Sequence, residues 1–103
     1  MLRKRVSATN IHKAPSVSRQ VKVTNQLGIH ARPSAQFVKL AATFPCEVWI
    51  EKDDETINGK SIMGLLMLAA GPGSELRIIC SGDGSDRALA ALVALIENKF
   101  GEQ

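Results

Sequence analysis

The chain has 103 residues, 45% of them hydrophobic, with two cysteines and a formal net charge of +3. A chain this short suits one domain with a thin core, which excludes a large internal active site and puts any chemistry at the surface. Residues 1–19 carry five basic side chains and no acid, while the remainder carries eight basic and ten acidic ones, so the basic balance belongs to a tail and argues against a nucleic-acid-binding face on the domain.

Residues 1–18 mix Ser, Thr, Asn, Pro and basic side chains without a sustained period and read as a flexible basic extension. The domain proper is expected over 19–103. Val21 and Val23 alternate with polar neighbours as a first strand starting near Arg19, followed by a loop at 25–29. A helix is predicted over residues 31–43, with Ala35, Val38, Ala41 and Ala42 on its inner side and Phe37 nearby, Pro33 in its first turn and Phe44-Pro45 ending it. Residues 47–51 and 55–58 read as two strands joined by a turn at Lys52-Asp53-Asp54, with Trp49 on the face opposite Val48 and Ile50. Ser61 is a predicted cap for a short helix over 62–70 that Gly71-Pro72-Gly73 stops. A strand over 75–81 follows, with Ile79 toward the same face as Trp49. Ser85 then caps a last helix striped by Leu89, Leu92, Val93, Ile96 and Phe100.

This β-α-β-β-α-β-α order, with one apolar face per helix and on the sheet, predicts an α+β fold: a two-layer sandwich with helices on one side of a sheet. No segment is long and apolar enough to span a membrane, and no apolar run follows the basic N-terminus as a secretory signal requires. Cys46 and Cys80 lie far apart in sequence, without metal-ligand spacing, and read as buried reduced thiols. These features predict a cytoplasmic chain with no metal and no cofactor.

The chemically informative stretch is Leu27-Gly28-Ile29-His30-Ala31-Arg32-Pro33-Ser34. His30 stands directly before a helix, whose first N–H groups have no internal partner and carry partial positive charge. Such an end receives anions, and Arg32 adds planar donors beside it. The positive pole disfavours a protonated ring and leaves a neutral, nucleophilic imidazole. An acquired phosphoryl group would meet the same N–H groups and the guanidinium. Gly28 permits the close turn that aims His30 outward. A surface N-capping histidine beside a solvated arginine is the plainer alternative. His12, in the tail, is expected to be exposed and inert.

Residues 23–33, Lys60-Ser61-Ile62-Met63-Gly64 and the last helix resemble the HPr family, the histidine-containing phosphocarriers of the bacterial phosphotransferase system, in its sugar-type or nitrogen-related form. The resemblance covers about residues 19–101. It implies an open-faced β-sandwich: a four-stranded antiparallel sheet with three helices on one side. It also implies that His30 is phosphorylated on Nδ1 by enzyme I and passes the group to a IIA-type protein, with Arg32 as the supporting cation. The protein is thereby a covalent intermediate of its partners' reactions rather than an enzyme.

Ser61 is both an ordinary N-cap and, by the resemblance, the position phosphorylated by HPr kinase/phosphorylase. Ile62, Met63, Leu66 and Met67 cannot all point inward on one short helix. Either that helix is wholly buried or it offers an apolar patch to partners, and the resemblance places Ala31, Ile62, Met63 and Leu66 in docking. A monomer without nucleic-acid binding or membrane insertion is expected. A purely regulatory module, such as a serine-phosphorylated co-repressor or a nitrogen-system regulator, is the competing class, although an exclusively regulatory member can dispense with the histidine kept here.

Overall fold

The computed structural model describes residues 16–102. Its elements are β1 (Ser16–Lys22), α1 (Ala31–Ala41), β2 (Glu47–Lys52), β3 (Glu55–Asn58), α2 (Ile62–Leu68), β4 (Glu75–Ser81), α3 (Ser85–Glu97) and a 3-10 turn over Lys99–Gly101. The four strands form one antiparallel sheet in the order β1-β4-β2-β3. The three helices pack together and over one face of the sheet, α3 against β1 and β4, and α2 against β3 and α1. This is the expected open-faced sandwich.

Alternation of side chains decides which residues enter the core. Cross-strand rows Val21–Leu76, Ile57–Ile50–Ile78 and Val48–Cys80 face the helices, and all of these except the partly buried Ile57 are buried. On the other face Ile79 lies between Ser18 and Trp49. It is 1% exposed although outside the core cluster. The partly buried Trp49 beside it and a bond from Arg77 Nη1 to Ser18 Oγ of 3.2 Å bracket this mid-sheet side chain, so the outer face is not simply solvated.

Several boundaries differ from the sequence reading. β1 begins at Ser16, not near Arg19, because Ser16, Val17 and Ser18 pair with Ser81, Cys80 and Ile79 and so satisfy the outer backbone of β4. The predicted extension of residues 1–18 thus contributes its last three to the sheet, and the rest, with His12, lies outside the described residues. α1 ends at Ala41, and its buried side is Pro33, Ser34, Phe37 and Ala41; Ala35 and Ala42 are exposed. The large Phe37 ring sets the helix rotation, since burying it outweighs burying two methyl groups. α2 stops at Leu68, where Ala69 takes a left-handed φ of 53° as the C-cap, two residues before the glycine expected to end it. Gly84, not Ser85, is the N-cap of α3, and Ser85 is its buried first residue. The last helix ends at Glu97. Lys99 and Phe100 then turn left-handed at φ 58° and 56°. Such conformations cost non-glycine residues about 1–2 kcal/mol each. Burial of Phe100, 3% exposed, offsets that cost.

Candidate functional site

His30 is the N-cap of α1, extended at φ −99° and ψ −164°, and its side chain makes no capping bond. The imidazole is therefore not consumed in holding the helix. The carbonyl of His30 accepts from the N–H of Ser34 at 2.9 Å, closing the first helical turn. The N–H groups of Ala31 and Arg32 precede any intrahelical acceptor, and Pro33 has no N–H to offer. Both Ala31 and Arg32 are exposed.

The loop before the histidine is fixed by backbone contact. Gly28 has a φ of +70°, and a Cβ placed on it would lie 2.6 Å from the Ala70 carbonyl oxygen and 2.8 Å from Gly71 Cα. This close approach lets the Ile29 N–H donate to Ala70 O at 2.8 Å, so the segment after α2 buttresses the segment that carries His30. Asn25, fully buried, donates through Nδ2 to Gly28 O at 2.8 Å and to Glu102 Oε1 at 3.1 Å.

Glu102 is the residue that sequence reasoning missed. His30 Nε2 lies 3.3 Å from its Oε2 and 3.4 Å from Oε1, and the histidine side chain keeps 36% of its surface exposed. The fold brings this carboxylate to His30 from the far end of the chain. No local signal marks Glu102, because it arrives only through the left-handed Phe100 turn. With the carboxylate as acceptor, the neutral form of the ring carries its proton on Nε2 and keeps the lone pair on Nδ1. Arg32 and Glu102 line one cleft together with Leu27, Gln36 and Phe100. Asn25 Oδ1 and Ser34 Oγ are buried without a partner, a local cost of about 1–3 kcal/mol each.

Ser61 caps α2 as expected: its Oγ accepts from the Gly64 N–H at 3.0 Å. The next residues resolve the ambiguity over that helix. Only Leu65 and Leu68 are buried. Ile62, Met63, Leu66 and Met67 are 44%, 67%, 41% and 73% exposed, and Leu27 is 70% exposed. A wholly buried helix is excluded; one stripe enters the core and a broad apolar surface remains outside. Among the described residues, no three His, Cys, Asp or Glu side chains gather as metal ligands, and no helix is long and apolar enough to cross a membrane.

Known proteins are similar to this chain in sequence and in fold. The family model described as "PTS HPr component phosphorylation site" matches residues 17–98. The chain belongs to the HPr family. Phosphocarrier protein HPr of Pseudomonas aeruginosa is 45% identical over 84 residues, covering 81% of this chain and 93% of that protein. The crystal structure of HPr from Thermoanaerobacter tengcongensis superposes with a TM-score of 0.82 at 41% identity, over 84% of this chain and 98% of its own. Crh of Bacillus subtilis, a catabolite-repression protein whose crystal structure is a swapped dimer, matches with a TM-score of 0.66 at 40% identity, over 81% and 95% of the two chains. HPr proteins are bacterial phosphoryl carriers of the phosphotransferase system and not enzymes in their own right.

Proposed function

We propose that His30 carries the phosphoryl group of this HPr, taking it on Nδ1 from enzyme I and yielding it to a IIA-type protein. The observation that carries this reading is the His30–Glu102 contact of 3.3 Å at the N-cap of α1. It directs the protonated nitrogen inward to a carboxylate and leaves the other for attack on phosphorus. As the N–P bond forms, the bond from phosphorus to the donor breaks, the electron pair departs with the donor, and the ring proton stays on Nε2. The new anion then faces the unpartnered N–H groups at the helix start and the exposed Arg32 guanidinium, favourable by about 0.3–1 kcal/mol per helix-end contact. That modest scale suits a group that must be passed on.

Partner docking is assigned to Ala31, Ile62, Met63 and Leu66, supported by the exposure of all four. Regulation by a kinase of the HPr kinase/phosphorylase type is assigned to Ser61, whose hydroxyl lies at the start of that apolar helix. The scheme requires no cofactor, and a cytoplasmic location fits these partners. Likeness to Crh favours a second, regulatory role alongside the carrier role. It also puts a swapped dimer beside the expected monomer as an alternative that size-exclusion chromatography distinguishes. Whether the acceptor serves sugar uptake or the nitrogen-related branch follows from which IIA-type protein is labelled.

Incubation with phosphoenolpyruvate and enzyme I is expected to label the wild type and not His30→Ala. Arg32→Ala is expected to label but transfer more slowly. Equal labelling of wild type and His30→Ala refutes the carrier reading.

A further inference from the structure

Sulfur in this fold is divided between the inside and the outside. Cys46 and Cys80 are free and buried. Met63 and Met67 are 67% and 73% exposed, and among the described residues they are the solvent-facing sulfurs. Phosphoryl transfer uses neither thioether.

The rotation of α2 puts them there. Its buried residues, Leu65 and Leu68, share one side. Each residue advances about 100° around a helix, so Met63 and Met67 stand together on the side roughly opposite. Gly64 lies on one flank, where a Cβ would stand 3.4 Å from Ile57 Cβ of β3, and the less exposed Ile62 and Leu66 lie on the other. The two methionines are thus the crest of the apolar patch, and the core does not depend on their packing. The crest also ends beside the site. Two residues past α2, Ala70 O accepts from the Ile29 N–H at 2.8 Å, so the last turn of α2, with Met67, abuts the loop that carries His30 and the exposed Leu27.

We infer that Met63 and Met67 form a reversible oxidation site that controls docking: a hydroperoxide converts each to a sulfoxide, and a thiol-dependent sulfoxide reductase restores it. The inference rests on the docking role assigned to α2 and adds a chemical control to it. In the forward step a thioether lone pair attacks the O–O bond. An S–O bond forms, the O–O bond breaks, and the second oxygen leaves as water or an alcohol. The sulfur loses two electrons and the peroxide gains them. In the reverse step two thiols supply two electrons and two protons, the sulfoxide oxygen leaves as water, and a disulfide remains on the reductase.

Exposure selects these sulfurs over the buried thiols. A thioether is apolar and adaptable, which suits a face met by more than one partner. A sulfoxide is polar, and its oxygen accepts hydrogen bonds. Water satisfies that oxygen in the free protein, where the side chain already projects from the crest, so the fold keeps its stability. Under the apolar surface of a partner the oxygen loses its water. An acceptor left unmatched there weakens binding about tenfold.

The test treats the folded full-length chain with hydrogen peroxide, removes the peroxide with catalase, and records peptide maps, urea midpoints and the KM for enzyme I in phosphoenolpyruvate-dependent labelling. The expected result is one added oxygen on each of Met63 and Met67, Cys46 and Cys80 still alkylatable in denaturant, an unchanged urea midpoint and a KM about tenfold higher. Methionine sulfoxide reductase with dithiothreitol is expected to restore the KM. The chain carrying both Met63→Leu and Met67→Leu is expected to show the same KM before and after peroxide, whatever its untreated value. A peroxide-dependent rise in that variant, a lowered urea midpoint of the oxidised wild type, or failure of Met63 and Met67 to gain oxygen overturns the proposal. An unchanged KM in oxidised wild type, when untreated Met63→Gln raises it, overturns the oxidation site and leaves the docking role standing. An unchanged KM in both overturns the docking role and the inference with it.

Discussion

Replacing Gly28 by alanine tests how the loop before His30 is held. The new side chain would have to adopt a φ of +70°, at about 1–2 kcal/mol for a residue with a Cβ. That Cβ would stand 2.6 Å from Ala70 O, 2.8 Å from Gly71 Cα and 2.9 Å from Gly71 C. All three are backbone atoms, which cannot swing aside as a side-chain tip does, so overpacking adds about 1–3 kcal/mol. The sum, about 2–5 kcal/mol, is a large share of the about 5–15 kcal/mol that a folded domain holds. Relief requires lengthening the Ile29 N–H to Ala70 O bond of 2.8 Å, which shifts His30 with it. Urea unfolding followed by Trp49 fluorescence is expected to show a midpoint lowered by about 1–2.5 M at a slope of about 2 kcal/mol/M. Gly71→Ala is the control: nothing lies within 4 Å of its Cβ position, and its midpoint is expected to stay or rise slightly. Equal midpoints for Gly28→Ala and this control would refute the close-approach account.

Glu102→Gln is expected to slow phosphoryl acceptance by about tenfold, the scale of one lost charge-assisted hydrogen bond, and to shift the neutral His30 ring from a single Nε2–H tautomer to a mixture visible by nitrogen NMR. An unchanged rate with an unchanged tautomer would make the contact incidental. Ser61→Ala is expected to cost about 0.5–2 kcal/mol through loss of the cap. Ser61→Asp should keep the stability but slow His30 phosphorylation by enzyme I, and equal rates for Ser61→Asp and wild type refute the regulatory reading. Met63→Glu is expected to raise the KM for enzyme I several-fold with an unchanged unfolding midpoint, whereas an unchanged KM removes Met63 from the docking surface. Finally, the Cys80 thiol ionises near its ordinary 9.0 in the unfolded chain but is held protonated to about 12 in the fold. Between those values the folded state binds more protons, so stability falls as pH rises. Urea midpoints from pH 8 to 10.5 should decline more steeply for wild type than for Cys80→Ala, and parallel profiles would contradict the shift.

The element order, the two-layer α+β sandwich and the place of His30 at the head of a helix were legible in the chain, and the antiparallel open-faced form was implied by the family resemblance. They depend on local rules: period-2 and period-3.6 alternation, Pro33 in a first turn, a serine before an apolar run. The rotation of α1 was not, because the volume of Phe37 overrode the pattern of small residues. Nor was the left-handed stop at Ala69, where the backbone turns without the glycine that usually marks such a turn. Glu102 reaching His30 and Asn25 brings together residues that no sequence spacing connects. Local propensity depends on neighbours along the chain, so composition and periodicity determined the elements and their order. Contacts between distant segments depend on strand register and on which bulky side chains fill the core first, so only the tertiary structure decided the histidine's carboxylate partner and the exposed apolar face of α2.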